Sequence, residues 1–320
     1  MKIGSFNIDD ESETFFIADI GANHDGDIRR AEDLIYLAKD AGANAAKFQH
    51  FNANTIVSDE GFKSLPMDKL SHQALWKKST FDVYKDASIN INWTHRLFDI
   101  CKKADIQFMT SPYSFDLVDH VDKYLDVYKI GAGDITWLEI INHICNKKKP
   151  IILATGASSW KDIDLAVKLI RDKKVSFSLL QCNTNYTASE ENYSYINLKV
   201  ISEMKKRYPD AIIGLSDHTK TCATTLGAVS FGAKIVETHF TDSNDREGPD
   251  HKFATTPSEW RKMVEETRSL ESMLNDSYDY IFVTGGLGPT HDDVTHDAIS
   301  FIFGSKKAIS KIPNKHGTAR

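Results

Sequence analysis

The runs Ile213-Gly214-Leu215-Ser216-Asp217-His218-Thr219 and Ile235-Val236-Glu237-Thr238-His239-Phe240 decide how the rest of the chain is read. Each is a short apolar, β-branched run that breaks off in polar side chains able to bind a metal. Runs of this kind read as strands buried on both faces. In barrels of parallel strands, function gathers where the strands end. Two histidines from consecutive strand ends can share one divalent ion, since neutral imidazole suits Mn, Fe, Co, Ni and Zn. The plainer alternative is a pair of satisfied core or rim histidines. Their repetition at equivalent places, with Ser216, Asp217 and Glu237 beside them, favours a metal site.

Outward from these runs the same unit recurs. Further apolar runs lie at Phe15–Gly21, Ala45–Phe51, Gln107–Tyr113, Val127–Gly133, Pro150–Gly156 and Phe177–Asn183. The two opening runs extend to Ala211–His218 and Lys234–Thr241. Helical patterns fall between them: Ile28–Ala41, Trp93–Ala104, Phe115–Tyr124, Trp137–Lys147, Trp160–Lys173, Tyr193–Tyr208, Ala223–Gly232 and Pro257–Leu274. The last has Pro at its start and Trp260, Met263, Val264, Thr267, Leu270 and Met273 at helical spacing. Asp27 and Ser159 sit where N-caps belong. Uninterrupted strand–helix alternation predicts an α/β fold, a closed (β/α)8 TIM barrel, with an open doubly wound sheet as the second choice. Asp19, Lys47, Gln49, Ser111, Lys129, Asp134, Thr155, Gln181, Asn183, His218, Glu237 and His239 fall at or just past strand ends, so a barrel gathers them at one mouth. The insertion Asn52–Asn90, with Trp76, Phe81, Tyr84 and a Leu65-Pro66 break, reads either as a lid or as packing on the outer helices.

Composition narrows the function. A formal net charge of −6 and the absence of a long Lys/Arg block argue against a nucleic-acid surface. No apolar run approaches the roughly 20 residues of a membrane span, and the acidic opening Asp9, Asp10, Glu11, Glu13 does not read as a signal peptide. Cys101, Cys145, Cys182 and Cys222 have no CxxC spacing and read as buried thiols of a reducing, cytoplasmic compartment. Lys47 and Lys129 lie within apolar strands, where an unpaired ammonium is costly. Either each pairs with an acid, Asp19 or Asp134, or both await an anionic ligand. Two lysines beside a divalent metal imply a substrate with more than one negative charge.

The segments Phe16–Gly26, Ala41–Gln49, Tyr128–Asp134, Pro150–Gly156, Ile213–Thr219, Glu237–Asp242, Arg246–His251 and Thr256–Glu259 together resemble the sialic acid synthase (N-acetylneuraminate synthase) family, over roughly Phe15–Leu274. The resemblance implies condensation of phosphoenolpyruvate with an N-acylated amino-hexose, N-acetylmannosamine-like or its 6-phosphate, giving a nonulosonic acid and phosphate. It also implies a need for Mn²⁺, Mg²⁺ or Co²⁺ and a homodimer. It makes His218 and His239 the metal ligands with Glu237 close by. Lys47, Ser111, Lys129 and Ser216 then hold phosphoenolpyruvate, Gln49, Tyr186 and Asp250 face the sugar, and Asp134 and Asn183 line the substrate site. Asp19 or Glu237 is the acid–base residue, with Lys47 and Lys129 counted in the catalytic set.

Departures from the family bear on substrate identity. Asp19 stands where Glu is usual, Ala132 replaces a small hydroxyl residue, and Cys182–Thr187 lacks the proline that commonly follows the tyrosine. Full-length members carry an antifreeze-like domain that supplies an arginine to the sugar, and no such domain is expected after the barrel. Tyr280–Thr295, with its Gly-rich turn, instead resembles a fragment of a molybdopterin-binding domain. The expected organisation is therefore a barrel over 1–275 and a short irregular extension over 276–320. Competing readings are a metal-dependent aldolase acting on another α-keto acid and a catalytically idle sugar-phosphate-binding or scaffold protein.

Overall fold

The computed structural model describes residues 1–64 and 78–275. Trp76, the Leu65-Pro66 break and the whole 276–320 extension lie outside the described residues. Met1–Leu274 forms one compact unit.

Eight parallel strands build it: β3 (Phe15–Gly21), β4 (Ala45–His50), β5 (Gln107–Pro112), β6 (Tyr128–Ile130), β7 (Ile151–Ala154), β8 (Phe177–Cys182), β9 (Ile212–Asp217) and β10 (Ile235–His239). Their order is β5-β4-β3-β10-β9-β8-β7-β6, and the two end strands, β5 and β6, lie against each other, so the sheet nearly closes. Helices between the strands cover the outside. All eight apolar runs contain strands; Phe15–Gly21 matches its run, and the other seven are shorter than their runs by one to a few residues at one or both ends.

Side chains alternate across each strand. In β3, Phe16, Ala18 and Ile20 face the helices and join the large outer core, while Phe15 and Ile17 point inward. The inner cluster also holds Ala45, Met109, Val127, Ile152, Leu180 and Ile235. Beneath it, Lys2–Ile3 (β1) and Phe6–Asn7 (β2) form an antiparallel pair. Ile3 and Ile8 are buried in this inner cluster, with Met1 and Phe6 packed on it. This N-terminal hairpin was not read from the sequence. It fills the end of the barrel opposite the polar mouth.

The helix starts at Asp27 and Ser159 are as expected: each side chain accepts from a backbone N–H of the first turn, and Ser159 and Asp162 cap each other reciprocally. Three readings need correction. The helix expected at Tyr193–Tyr208 spans only Lys199–Arg207, because Glu190–Tyr195 winds as a 3₁₀ turn and Asn197 takes a left-handed φ of 52°. Met273 is exposed at the end of Pro257–Asn275. Cys222 is only half-buried, whereas Cys101, Cys145 and Cys182 are buried free thiols. The insertion after β4 is partly helical, with short helices at Ala53–Ile56, Asp59–Ser64 and Thr80–Ala87.

Trp260, on the last helix, is fully buried with its ring edge-on to Phe240 at 5.6 Å and Phe16 at 6.5 Å. It ties that helix to the first and last barrel strands. Trp260→Ala is expected to cost about 3–5 kcal/mol in equilibrium urea unfolding, and a loss below about 1 kcal/mol would show that the helix is not anchored there.

Candidate active site

The polar ends of β3, β4, β6, β9 and β10 converge above the apolar inner layer. Inward alternation places Asp19 above Ile17, Lys47 above Ala45, Lys129 above Val127 and Glu237 above Ile235. Lys47 Nζ lies 2.7 Å from Asp19 Oδ2 and 3.7 Å from Glu237 Oε2, and Lys129 Nζ lies 3.2 Å from Glu237 Oε1. Lys129 therefore meets Glu237, not Asp134, as its acid partner. All four side chains are almost completely buried. Burial by itself pushes the Asp19 carboxyl up, but Lys47, His239 and the Gln49 amide hold it below the ordinary value. Burial likewise opposes the charge on Lys47, and Asp19 and Glu237 outweigh it. Gln49 donates to Asp19 Oδ2 at 3.0 Å, and Ser216 Oγ donates to Glu237 Oε1 at 3.1 Å.

A bulge between Asp19 and Gly21 breaks the β3–β4 register here, a device that re-aims side chains at a rim. Gly21 has φ +51°, and a Cβ on it would press to 3.1 Å from Gln49 Nε2 and 3.2 Å from Asp250 Oδ2. Only glycine lets the strand bend away so close to those groups.

His218 and His239 come together at the ends of β9 and β10, with ring centroids 5.4 Å apart. His218 Nδ1 is 2.7 Å from the Asn183 carbonyl. A carbonyl can only accept, so Nδ1 carries the proton and Nε2 keeps a free lone pair. Burial drives the His218 pKa down to about 3, which keeps the ring neutral. His239 lies between Asp19, 3.6 Å from Nε2, and Asp250, 3.7 Å from Nδ1, and its buried Nδ1 has no hydrogen-bond partner. Asp19 Oδ1 and Glu237 Oε2 are likewise buried without partners. Two neutral-capable imidazoles and unsatisfied carboxylate oxygens are a donor set that fits a divalent cation. Among the described residues no group of three or more His, Cys, Asp or Glu encloses a metal by itself.

Other expected residues fall as follows. Tyr186 packs edge-on to His218, with centroids 4.5 Å apart, and reaches His239 at 6.5 Å. Ser111 Oγ is buried and unpartnered. Asp134 lies on the Ala132–Asp134 turn, where burial raises its carboxyl above the ordinary value against the pull of Lys129. Asn183 lines a cavity beside the mouth, and its carbonyl also holds His218, while its side chain accepts from Asn185 N at 2.8 Å. Thr155 and Gln181 spend their polar atoms on the Leu180 and Ile196 carbonyls.

Some neighbours of the site were not singled out from the sequence. Phe253 packs against both histidine rings, at 5.9 and 5.0 Å. Tyr113, and from the insertion Tyr84 already named above, both meet the Phe51 ring edge-on. Arg30 grips both Asp242 oxygens at 2.7 and 2.6 Å, and His251 bridges Asp25 and Thr241 at 2.7 Å each. This clamp anchors the segment that carries Asp250. Apart from Arg30, its residues fall in the segments Phe16–Gly26, Glu237–Asp242 and Arg246–His251 quoted above for the family resemblance. Beside the mouth a cavity of about 780 Å³ is lined by Thr155, Trp160, Gln181, Asn183, Asn185 and Tyr195 among others, none of them charged.

The sequence model of the NeuB family matches residues 34–279. The chain belongs to the NeuB family. A second model, a probable molybdopterin binding domain, matches residues 250–319. The chain is 31% identical over 268 residues to the N,N'-diacetyllegionaminic acid synthase of Campylobacter jejuni, covering 82% of this chain and 78% of that one. It is 29% identical over 279 residues to a pseudaminic acid synthase of the same organism, covering 86% and 78%. Among solved structures, N-acetylneuraminic acid synthetase from Leptospira borgpetersenii superposes with a TM-score of 0.75 at 27% identity, covering 94% of this chain and 96% of that chain. This NeuB-family barrel is an enzyme of the sialic acid synthase type, and no helix among its described residues is long and apolar enough to cross a membrane.

Next to His218, the buried Asp217 carboxyl is raised by burial from 3.8 to about 6, against hydrogen bonds from Thr219. A carboxyl whose folded pKa lies above its unfolded one binds its proton more tightly when folded. Stability contributed by that proton is present below pH 4 and is lost as pH rises toward 6, about 3 kcal/mol for a shift of roughly two units. In chelator-treated protein, urea unfolding from pH 4 to 7 is expected to show this falling slope in the wild type and not in Asp217→Asn. Parallel profiles would remove the assignment.

Proposed function

We propose that this NeuB-family enzyme condenses phosphoenolpyruvate with an N-acylated amino-hexose, releasing phosphate and forming a nonulosonic acid, over a divalent cation held by His218 and His239. The observation that carries the reading is the pair of facing imidazoles set against two buried lysines whose acid partners share the same small volume. Relatives named as legionaminic and pseudaminic acid synthases support the product class. Mn²⁺, Mg²⁺ or Co²⁺ would suit the donor set.

Charge balance supports the pairing of donor and metal. Two lysines face two carboxylates, so the interior is formally neutral before a substrate enters. Phosphoenolpyruvate brings about −1.5 to −2 from its phosphate and one more from its carboxylate. With the lysines and acids cancelling, a divalent cation in the same pocket offsets about two of those charges, and the ammonium groups meet the anion directly so that it is not buried unpaired.

Within this scheme Lys47 and Lys129 turn from Asp19 and Glu237 to the donor's phosphate and carboxylate. Ser111 and Ser216 donate hydroxyl hydrogen bonds to it. A cation held by His218 and His239 would supply Lewis-acid polarisation of the acceptor's aldehyde oxygen. Asp19 and Glu237, freed from the lysines, are placed to take a proton from the attacking water. Gln49, Tyr186 and Asp250 face the acceptor, and Asn183 positions His218 through its carbonyl. The uncharged cavity beside the mouth suits an acceptor's hydroxyl and N-acyl groups. We further assign 1–275 to the synthase and 276–320 to an incomplete molybdopterin-binding-like fragment. Buried free thiols support a reducing, cytoplasmic setting, and the family likeness supports a homodimer.

Mn²⁺-loaded protein is expected to release phosphate from phosphoenolpyruvate only when N-acetylmannosamine or its 6-phosphate, or a related 2-acylamino sugar, is present. Release that ignores the sugar, or none across the panel, would overturn the condensation. Separately, His218→Ala and His239→Ala should each weaken Mn²⁺ binding, followed by electron paramagnetic resonance, by at least about 100-fold with circular dichroism unchanged. Undiminished affinity in both variants would remove the metal assignment.

A further inference from the structure

The β5 strand carries a donor that the mechanism above does not use. Met109 faces the inner apolar layer, and alternation puts Ser111 and then Tyr113 on the same side, one step nearer the mouth each time. The ladder to β4 persists that far, because Tyr113 N donates to the His50 carbonyl at 3.0 Å. The Tyr113 ring is held edge-on by Phe51, at 6.2 Å and 82°. Its phenol oxygen has no hydrogen-bond partner among the described residues, and the Ser111 hydroxyl below it is buried and equally unpartnered. On the facing strand, just beyond Lys129, Gly131 leaves that oxygen uncovered, since a Cβ there would come within 3.4 Å of it. A buried hydroxyl left unpaired is costly, and Ser111 with a partnerless phenol one step above it on the same side of the strand marks a place where a ligand completes the bonding.

We propose that Tyr113 is a substrate-binding residue of the donor subsite, its phenol joining the Ser111 hydroxyl and Lys129 in donating to an anionic oxygen of phosphoenolpyruvate. The assignment rests on the condensation reading given above and names a contact within it. An anion is the partner that suits the group. Burial, with Asp134, Asp19 and Glu237 nearby, keeps the phenol protonated far above neutral pH, so it is a donor at every working pH. Hydrogen bonds from neutral donors to charged acceptors are the stronger kind.

Tyr113→Phe keeps the ring and its contact with Phe51 and removes only the hydroxyl. Calorimetric titration of phosphoenolpyruvate into the Mn²⁺-loaded wild type and variant is expected to show at least about tenfold weaker binding in the variant. Its KM for phosphoenolpyruvate should rise with it, while the KM for the amino sugar stays within about twofold. Unchanged phosphoenolpyruvate affinity in Tyr113→Phe, or a loss confined to the sugar KM, overturns the assignment and leaves the condensation standing. A wild type that does not bind phosphoenolpyruvate overturns both.

Discussion

Two ammonium groups and two carboxylates share an interior from which water is almost excluded: Lys47 with Asp19, and Lys129 with Glu237. Removing either sign alone would leave an uncompensated buried charge, which costs several kcal/mol. The barrel around them is arranged to make that interior tolerable. Apolar inward residues floor it, the N-terminal hairpin closes the far end, and the Gln49 amide and Ser216 hydroxyl donate to the same Asp19 and Glu237 oxygens that the lysines meet. The quartet is nevertheless left incomplete, with Asp19 Oδ1 and Glu237 Oε2 buried and without a hydrogen bond, the latter only 3.7 Å from Lys47 Nζ.

Incompleteness of that kind does not favour a purely structural role. A core built for stability gains as much or more from well-packed apolar residues, whereas a charged interior with spare lone pairs is suited to exchanging partners. The neighbouring histidines complete the picture. One is fixed in a single tautomer by a backbone carbonyl, and the other lies between two carboxylates with a bare ring nitrogen. An anion that draws the lysines away frees two acids at the same moment, and a cation on the imidazoles offsets the charge that remains.

Much of this was legible in the residues. The strand at Phe15–Gly21 matches its apolar run to the residue, opening just after Thr14 and ending at a glycine with positive φ. Lys47 and Lys129 stood out since a cation inside such a run demands a partner. Which partner was not legible: Lys129 meets Glu237 across a barrel, and that depends on how the sheet curls and not on spacing along the chain. The Tyr193–Tyr208 helix was over-read because its apolar periodicity continues through a 3₁₀ turn and the left-handed Asn197, a local conformation that periodicity does not report. Asn183 shows a further limit, since its function in the fold is carried by a backbone carbonyl that every residue possesses. The hairpin at Lys2–Asn7 escaped because its strands are only two residues long.

In the proposed reading the buried lysines are held in reserve for a multiply charged donor. Ligand-linked stability tests it directly, because the comparison is made within each variant and does not depend on basal stability. The thermal midpoint of the Mn²⁺-loaded protein should climb with phosphoenolpyruvate concentration in the wild type and stay flat in folded Lys47→Met and Lys129→Met. An equal climb in both lysine variants would contradict it.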